Sequence, residues 1–182
     1  MSLQVEKTSI AGLILLVPRV LQDERGTFLE VANESHLATA GIHAAFVQTN
    51  VSRSRAGVLR GLHYQYPGWQ GKLVSVLEGE VFDVAVDLRR GSATFGKWFG
   101  SRLSAQNHRQ MWIPEGFAHG FSVLSDGALV HYSCTRLYAA GEDRTLLWND
   151  PDIGIAWPAT SPILSAKDAT GQPLRDAAKD LL

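Results

Sequence analysis

The chain has 182 residues, of which 45% are apolar and 19% are charged, and its formal net charge at pH 7 is −1. This composition excludes a disordered or coiled-coil chain, and the lack of a basic excess argues against nucleic acid as a partner. At roughly 150 residues per domain, the length predicts a single domain over residues 1–182.

Two features of the sequence bear on where the protein works. Cys134 is the only cysteine, so no internal disulfide can form, which is typical of a reducing compartment. The apolar run Leu13–Val17 ends at Pro18 and is too short for a membrane span or a signal sequence. We therefore expect a cytoplasmic protein without a membrane partner.

The first elements along the chain are a strand and a short helix. Leu13–Val20 has a β-rich composition and is closed by a turn cluster at 22–26. Glu34–Ala40 follows Asn33, a favourable helix cap, and precedes Gly41, which is typical of a helix end.

The rest of the chain reads mostly as short strands. Predicted strands cover Phe46–Val51, Val58–Gln65, Lys72–Leu77, Val81–Leu88, Trp98–Leu103, Gln110–Ile113, Gly120–Leu124 and Ala128–Leu137. A second helix is predicted at Leu174–Leu182. About ten evenly spaced strands with few helices predict an all-β fold, an antiparallel jelly-roll β-barrel with a few short helices. The absence of helix–strand alternation excludes a dinucleotide-binding α/β domain.

The histidines raise the possibility of a metal site. His63 and His119 lie in predicted strands and could face the barrel interior, with a spacing like that of the two metal motifs of cupins. Both motifs are degraded, since Gln65 and Val123 stand where further ligands are needed. With two imidazoles at most, we expect no catalytic metal centre.

A second interpretation gives His63 the role of a general base, because imidazole titrates near neutral pH. Arg60 and Lys72 flank the same strand pair and concentrate positive charge beside it. Alternatively, His63 is a hydrogen-bonded core residue. An aspartate brought behind it, such as Asp168, would fix its tautomer, but the spacing cannot show that contact.

Two tyrosines and one arginine have similarly open interpretations. In a regular strand Tyr132 and Tyr138 share one face, where they serve either as proton donors in a pocket or as core residues. Arg25 lies in a polar turn. Its side chain is either exposed to solvent or in contact with a phosphate group of a ligand.

Long motifs resemble those of the dTDP-4-dehydrorhamnose 3,5-epimerase family, from about residue 13 to residue 168. They are DERG at 23–26, FVQTNVS at 46–52, VLRGLHYQ at 58–65, GKLV at 71–74, GEVFDVAVDLR at 79–89, WIPEGFAHGF at 112–121, LWNDP at 147–151 and LSAKD at 164–168. The resemblance implies a cupin-like jelly roll.

The resemblance also implies roles for individual residues. His63 matches the catalytic base, Asp168 its paired carboxylate and Tyr132 the proton donor on the opposite side of the sugar. Lys72 matches a lysine near the keto oxygen, and Phe28 would stack on the base. Implied contacts with the nucleotide sugar are Arg25, Glu30, Gln48, Thr49, Asn50, Arg60, Lys72, His119, Tyr138, Asp143 and Lys167.

By the same resemblance, the chain would convert dTDP-4-dehydro-6-deoxy-D-glucose to dTDP-4-dehydro-L-rhamnose without a metal or cofactor. It would act as a homodimer in which exchanged strands complete each site.

Two departures from the family pattern leave the number of epimerised carbons open. The chain reads Ala-Ala-Gly-Glu-Asp at 139–143, and the loop at 66–70 is one residue shorter than in some relatives. The nearest alternative is therefore a single-centre epimerase that acts at C3 only or C5 only on a dTDP-4-keto-6-deoxyhexose. More distant alternatives are a metal-dependent cupin dioxygenase or isomerase and a non-catalytic sugar-nucleotide binder.

Overall fold

A computed structural model describes residues 3–181, and in that part of the chain it has thirteen strands and three helices. In chain order they are β1 (Leu3–Lys7), β2 (Ile14–Pro18), β3 (Val20–Asp23), β4 (Gly26–Leu29), α1 (Glu34–Thr39), β5 (Gln48–Arg55), β6 (Leu59–Gln65), β7 (Lys72–Glu78), β8 (Glu80–Asp87), β9 (Trp98–Ser104), β10 (Gln110–Ile113), β11 (Phe117–Val123), β12 (Gly127–Cys134), β13 (Asp143–Thr145), α2 (Ala166–Ala169) and α3 (Leu174–Leu181).

Two antiparallel sheets face each other across the main core. One has six strands in the order β1-β2-β10-β7-β12-β5, and the other has five in the order β13-β6-β11-β8-β9. Val74 and Val130 from the first sheet pack against Val81, Phe117 and other buried residues of the second. The predicted all-β fold, an antiparallel jelly roll, is confirmed.

Local sequence explains the tight connection between β7 and β8. Gly79 has a φ of +75° there, and a Cβ at this position would lie 2.0 Å from the carbonyl oxygen of Gly127. Only glycine fits both the backbone conformation and the close approach. The sequence around Gly79 predicts a β-hairpin, but this prediction is wrong: β7 and β8 lie in different sheets, and the turn carries the chain from one sheet to the other.

The two predicted helices are present. The Oδ1 atom of Asn33 accepts a hydrogen bond from the backbone of His36, and Gly41 ends α1 with a φ of +83°. Helix α3 covers Leu174–Leu181, and Leu182 lies outside the described residues, as do Met1 and Ser2 of the predicted domain. Helix α3 packs its buried residues over the outer face of the five-stranded sheet. No helix within 3–181 combines the length and apolar character that a bilayer crossing requires.

Two predicted strands have different limits in the structure. The run Leu13–Val20 is interrupted at Arg19, because β2 ends at Pro18 and the chain then enters the separate β3–β4 hairpin. The predicted strand Ala128–Leu137 was wrong at its end, since β12 stops at Cys134. Beyond Thr135, the backbone groups of 136–139 bond to glutamine side chains instead of a neighbouring strand.

Candidate active site

A cavity of about 390 Å³ opens between the two sheets. The six-stranded sheet supplies β5, β7 and β12 to its wall, and the five-stranded sheet supplies β6 and β11. The polar side chains that line it are Gln48, Asn50, Ser52, Arg60, His63, Tyr64, Gln65, Gln70, Lys72, His119, Tyr132, Tyr138, Asp143 and Lys167. Most of the residues selected from the sequence therefore lie in one place.

His63 and Asp168 form a hydrogen-bonded pair at this cavity. The Nε2 atom of His63 lies 2.5 Å from Oδ1 of Asp168, and Ser165 donates to Oδ2 of the same carboxylate at 2.8 Å. Burial raises the pKa of Asp168, but the hydrogen bonds from His63 and Ser165 outweigh it and lower the pKa below its ordinary value. An ionised Asp168 holds the proton of neutral His63 on Nε2, which leaves the lone pair on Nδ1.

The sequence did not predict the short helix that makes this contact. Helix α2 begins after Ser165, whose hydroxyl accepts a hydrogen bond from the backbone of Asp168 at 3.1 Å. That cap fixes Asp168 in a buried position, 2% exposed. The contact between Asp168 and His63, which spacing alone left open, is present.

Lys72 lies in the same cavity and is almost completely buried, at 7% exposure. Its ammonium donates to the carbonyl oxygen of His63 at 3.5 Å. Burial lowers the pKa of Lys72, and the nearby acidic groups Cys134, Asp143 and Asp83 oppose that shift only in part. A cationic donor in such a low-dielectric position interacts strongly with a negative charge that develops beside it.

Tyr132 points into the cavity from β12, as the alternation of that strand predicts. Its neighbour on the inner face, Val130, belongs to the main core, and Tyr132 packs against the same cluster. Burial raises the pKa of Tyr132, with a further contribution from Cys134 and a smaller opposing one from Arg60. The phenol is therefore protonated at neutral pH and available as a proton donor.

A second histidine–aspartate pair lies beside the first, and its carboxylate was not among the predicted site residues. His119 is directly opposite His63 in the β6–β11 pairing, and its Nε2 atom lies 2.9 Å from Oδ2 of Asp83. Asp83 is 0% exposed. The sequence feature that could have identified Asp83 is its position within the apolar strand β8, because an aspartate is rarely buried without a partner.

The two ends of the cavity differ in their charged groups. Arg60 lies at one end, where its Nε atom donates to Oγ of Ser54 at 2.9 Å. At the other end, the hydroxyl of Tyr138 donates to Oδ2 of Asp143 at 3.0 Å, and the ammonium of Lys167 contacts the same oxygen. The hydrogen bond to Asp143 raises the pKa of Tyr138.

The structure does not bring four of the predicted substrate contacts to this cavity. Thr49 faces the other side of β5, and its hydroxyl lies 3.1 Å from that of Ser133. Arg25 and Phe28 lie on the β3–β4 hairpin, where the side chain of Arg25 is 85% exposed and Phe28 is 60% exposed. Glu30 lies beside Asn33, to which it is hydrogen-bonded. The hairpin pairs only with itself in the described chain.

A metal site is not evident in this geometry. Within residues 3–181, no three His, Cys, Asp or Glu side chains converge in a way that could hold a metal ion. The two cavity histidines each turn one nitrogen to an aspartate.

Comparison with known proteins identifies what the fold and the site resemble. Residues 7–176 match the family model described as dTDP-4-dehydrorhamnose 3,5-epimerase. A protein of that name from Methanothermobacter thermautotrophicus is 53% identical over 173 residues, which is 93% of this chain and 94% of the relative.

Solved structures of sugar-nucleotide epimerases are also similar to this chain. A dTDP-6-deoxy-D-glucose-3,5-epimerase from Legionella pneumophila, in complex with dTDP-4-keto-L-rhamnose, superposes with a TM-score of 0.95 at 48% identity, covering 99% of this chain and 97% of its own. A 3′-monoepimerase from Streptomyces bikiniensis, in complex with dTDP-quinovose, superposes with a TM-score of 0.89 at 35% identity, covering 96% and 90%.

Proposed function

This chain belongs to the dTDP-4-dehydrorhamnose 3,5-epimerase family and is an isomerase, and from that premise we propose that it epimerises dTDP-4-dehydro-6-deoxy-D-glucose at C3 and C5 to give dTDP-4-dehydro-L-rhamnose. The observation that carries the proposal is the pairing of His63 with a buried Asp168 in a cavity that also contains Tyr132 and Lys72. These are a base, a proton donor and a cation in one site.

The chemistry follows from the ketone at C4 of the substrate. Hydrogens at C3 and C5 are both adjacent to that carbonyl, so removal of either gives an enolate whose charge lies on O4. Nδ1 of His63 accepts the proton and Asp168 stabilises the imidazolium. Lys72 stabilises the enolate oxygen. Tyr132 gives its phenolic proton to the opposite face of the carbon, which inverts the centre, and both groups regain their starting states by proton exchange with water.

The remaining cavity residues suit a nucleotide sugar. Arg60 supplies a planar guanidinium at one end, which is the geometry that a diphosphate oxygen pair requires. Gln48, Asn50 and His119 contribute hydrogen-bonding groups along the wall, and Asp143 and Lys167 do so at the far end. A few placed cations thus bind an anion although the net charge of the chain is −1.

A second copy of the chain is part of the proposal. Arg25, Phe28 and Glu30 would complete the cavity of a partner subunit, through exchange of the strands that carry them. The support is the exposure of Phe28 on a hairpin that makes no strand pairs outside itself in the described residues. We place this homodimer in the cytoplasm, which agrees with a single unpaired cysteine.

Epimerisation at one carbon is the second candidate function. It is favoured by the likeness to the 3′-monoepimerase and by the unusual sequence at 139–143, which lies next to the cavity residues Tyr138 and Asp143. The same base, donor and cation would serve a single centre, so the geometry of the cavity does not separate the two.

Proton exchange tests both candidates. The protein is incubated with dTDP-4-dehydro-6-deoxyglucose in D₂O, and deuterium at C3 and C5 is followed by NMR. We expect label at both carbons with the wild type and at neither with His63→Ala. Label at one carbon would support the single-centre candidate instead. No label with the wild type would contradict the proposed function. Undiminished label, or retained turnover, in a correctly folded His63→Ala protein would also contradict it.

A further inference from the structure

Three glutamine side chains hold a short exposed loop against the cavity. The loop consists of residues 136–139 and follows β12. Gln70 donates to the carbonyl of Arg136 at 2.6 Å, and Gln65 donates to the carbonyl of Leu137 at 3.3 Å. Each bond replaces the strand pairing that this segment lacks.

The next two residues of the loop are held by their amide groups. The backbone N–H of Tyr138 donates to Oε1 of Gln48 at 2.8 Å, and that of Ala139 donates to Oε1 of Gln65 at 2.7 Å. Four consecutive residues are therefore bound through their main chain to three glutamines. Such bonds fix the backbone whatever side chains the loop carries.

Side-chain packing contributes little to holding this loop. Leu137 is 62% exposed and Tyr138 is 57% exposed, so hydrophobic burial does not define their position. Segments with few buried apolar contacts are usually mobile. The glutamine bonds therefore fix the backbone of Tyr138, and the hydrogen bond from its hydroxyl to Asp143 completes the placement of the ring that lines the cavity.

Gln65 has a special place among the three glutamines because it joins three segments. It is the last residue of β6, the strand that carries His63, and it is buried at 4% exposure. Its amide also donates to the carbonyl of Gly68 in the loop before β7 at 3.2 Å. One side chain thus connects the strand of the base with both loops that border this end of the cavity.

We propose that Gln65 is a positioning residue, which fixes the loop 136–139 so that Tyr138 forms part of the wall of the cavity. The inference rests on the proposed function, because it assigns Tyr138 a contact with the bound nucleotide sugar. Tyr138 is a binding group in this arrangement, and the loss of Gln65 acts through it. A contact made equally in the ground state and the transition state changes KM more than kcat.

Gln65→Met tests the inference, since methionine has a similar length and makes none of the three hydrogen bonds. We expect KM to rise about tenfold while kcat stays within about threefold, the pattern also expected for Tyr138→Ala. Asn107→Leu is the control: the side chain of Asn107 likewise makes three hydrogen bonds to main-chain groups, in the turn between β9 and β10. It removes the same number of main-chain contacts away from the residues that line the cavity and is expected to leave KM unchanged.

The double variant shows whether Gln65 acts through Tyr138. In a Tyr138→Ala background, we expect Gln65→Met to change KM by less than about twofold, because coupled residues are not additive. A full additional effect in that background, an unchanged KM in Gln65→Met, or an equal rise in KM for Asn107→Leu would each overturn the inference.

Failure of the proposed function would look different. In that case the wild type itself would give no deuterium exchange, whereas failure of the present inference leaves wild-type exchange intact. If Gln65→Met does not fold, Gln65→Glu addresses the same point, since it keeps the acceptor for Ala139 and loses both donated bonds. We then expect a smaller rise in KM, again absent in the Tyr138→Ala background, and a rise that persists there would overturn the inference.

Discussion

At the scale of single residues, the direction of proton transfer in the proposed reaction depends on the partners of His63 and Tyr132. Asp168 accepts a hydrogen bond from Nε2 of His63, which leaves Nδ1 as the only ring nitrogen that can take a proton from substrate. Tyr132 keeps its phenolic proton at neutral pH because burial raises its pKa. In the proposed reaction, the two side chains therefore start with opposite roles, His63 as proton acceptor and Tyr132 as proton donor.

Replacement of Asp168 by asparagine tests the role of its charge. The amide keeps the size of the carboxylate but cannot stabilise an imidazolium, and it can donate to Nε2, which favours the wrong tautomer. We expect kcat to fall by about 10²–10³-fold. Steady-state rates measure this, with the melting temperature as a check of folding. A rate within threefold of wild type would show that the carboxylate is not needed.

Replacement of Tyr132 by phenylalanine separates proton removal from inversion. His63 still takes a proton and exchanges it with solvent, but the opposite face has no donor. In D₂O, we expect deuterium in substrate that has kept its configuration, while formation of epimerised product falls by about 100-fold. NMR of the recovered sugar distinguishes the two. Equal loss of exchange and epimerisation would mean that Tyr132 acts in proton removal itself.

At the scale of elements, the sequence predicts strands well where a short apolar run lies between turn residues. The predicted strand Gln110–Ile113 agrees with β10, and β6 and β7 differ from their predictions by one residue. These strands are buried along most of their length, so the apolar run and not alternation marks them. Alternation helps in β12, where it places Tyr132 on the same face as the buried Val130.

Elements defined by individual hydrogen bonds were not predictable in this way. Helix α2 has four residues, too few for a periodic pattern, and it depends on the cap at Ser165. The end of β12 depends on Gln48, Gln65 and Gln70, which are distant in sequence from the loop they bind. Tyr138 reaches the cavity through that loop, and not because it shares strand parity with Tyr132.

The turn after β8 shows how one carboxylate stabilises an irregular segment. Asp87 accepts hydrogen bonds from Arg89, Ser92 and Thr94 at 2.6–2.9 Å. Burial raises the pKa of Asp87, but these bonds outweigh it and lower the pKa to about 2. Because the folded pKa lies below the unfolded value of 3.8, the stabilisation is complete above pH 4 and is lost as the pH falls toward 2.

Asp87→Asn is therefore expected to lower the free energy of unfolding by about 2 kcal/mol at pH 7. The difference from wild type is expected to shrink between pH 4 and pH 2.5, where the wild-type carboxylate begins to take up its proton. Urea unfolding at several pH values measures both. Asp176→Asn is the control, since its partner Lys179 lies on the surface and exposed pairs contribute little. A pH-independent difference would contradict the assignment to ionised Asp87.

At the scale of the whole molecule, part of the predicted site lies outside the cavity. Arg25 and Phe28 are on the β3–β4 hairpin, whose exposed side chains include Leu21 at 38% and Phe28 at 60%. Apolar side chains on a projecting hairpin are typical of a surface that another chain covers. Motif resemblance selected these residues, but a single chain does not contain their proposed binding partner, so its geometry leaves them separate from His63.

A dimer with exchanged strands makes a specific prediction about mixed subunits. His63→Ala removes the base from its own cavity, whereas Arg25→Ala with Phe28→Ala removes groups from the partner's cavity. In a mixed dimer, one cavity carries both defects and the other carries neither. If subunits associate at random, half of the dimers are mixed, so about a quarter of all cavities are intact.

We therefore expect coexpression of the two inactive variants to restore about a quarter of wild-type turnover, because a C₂ dimer places the partner's residues at each site. Differently tagged subunits allow the mixed dimer to be purified, and its turnover is expected to reach half that of wild type. Size-exclusion chromatography with light scattering provides the mass independently. If Arg25 and Phe28 act within their own chain, every cavity in the mixture carries a defect, and coexpression restores nothing.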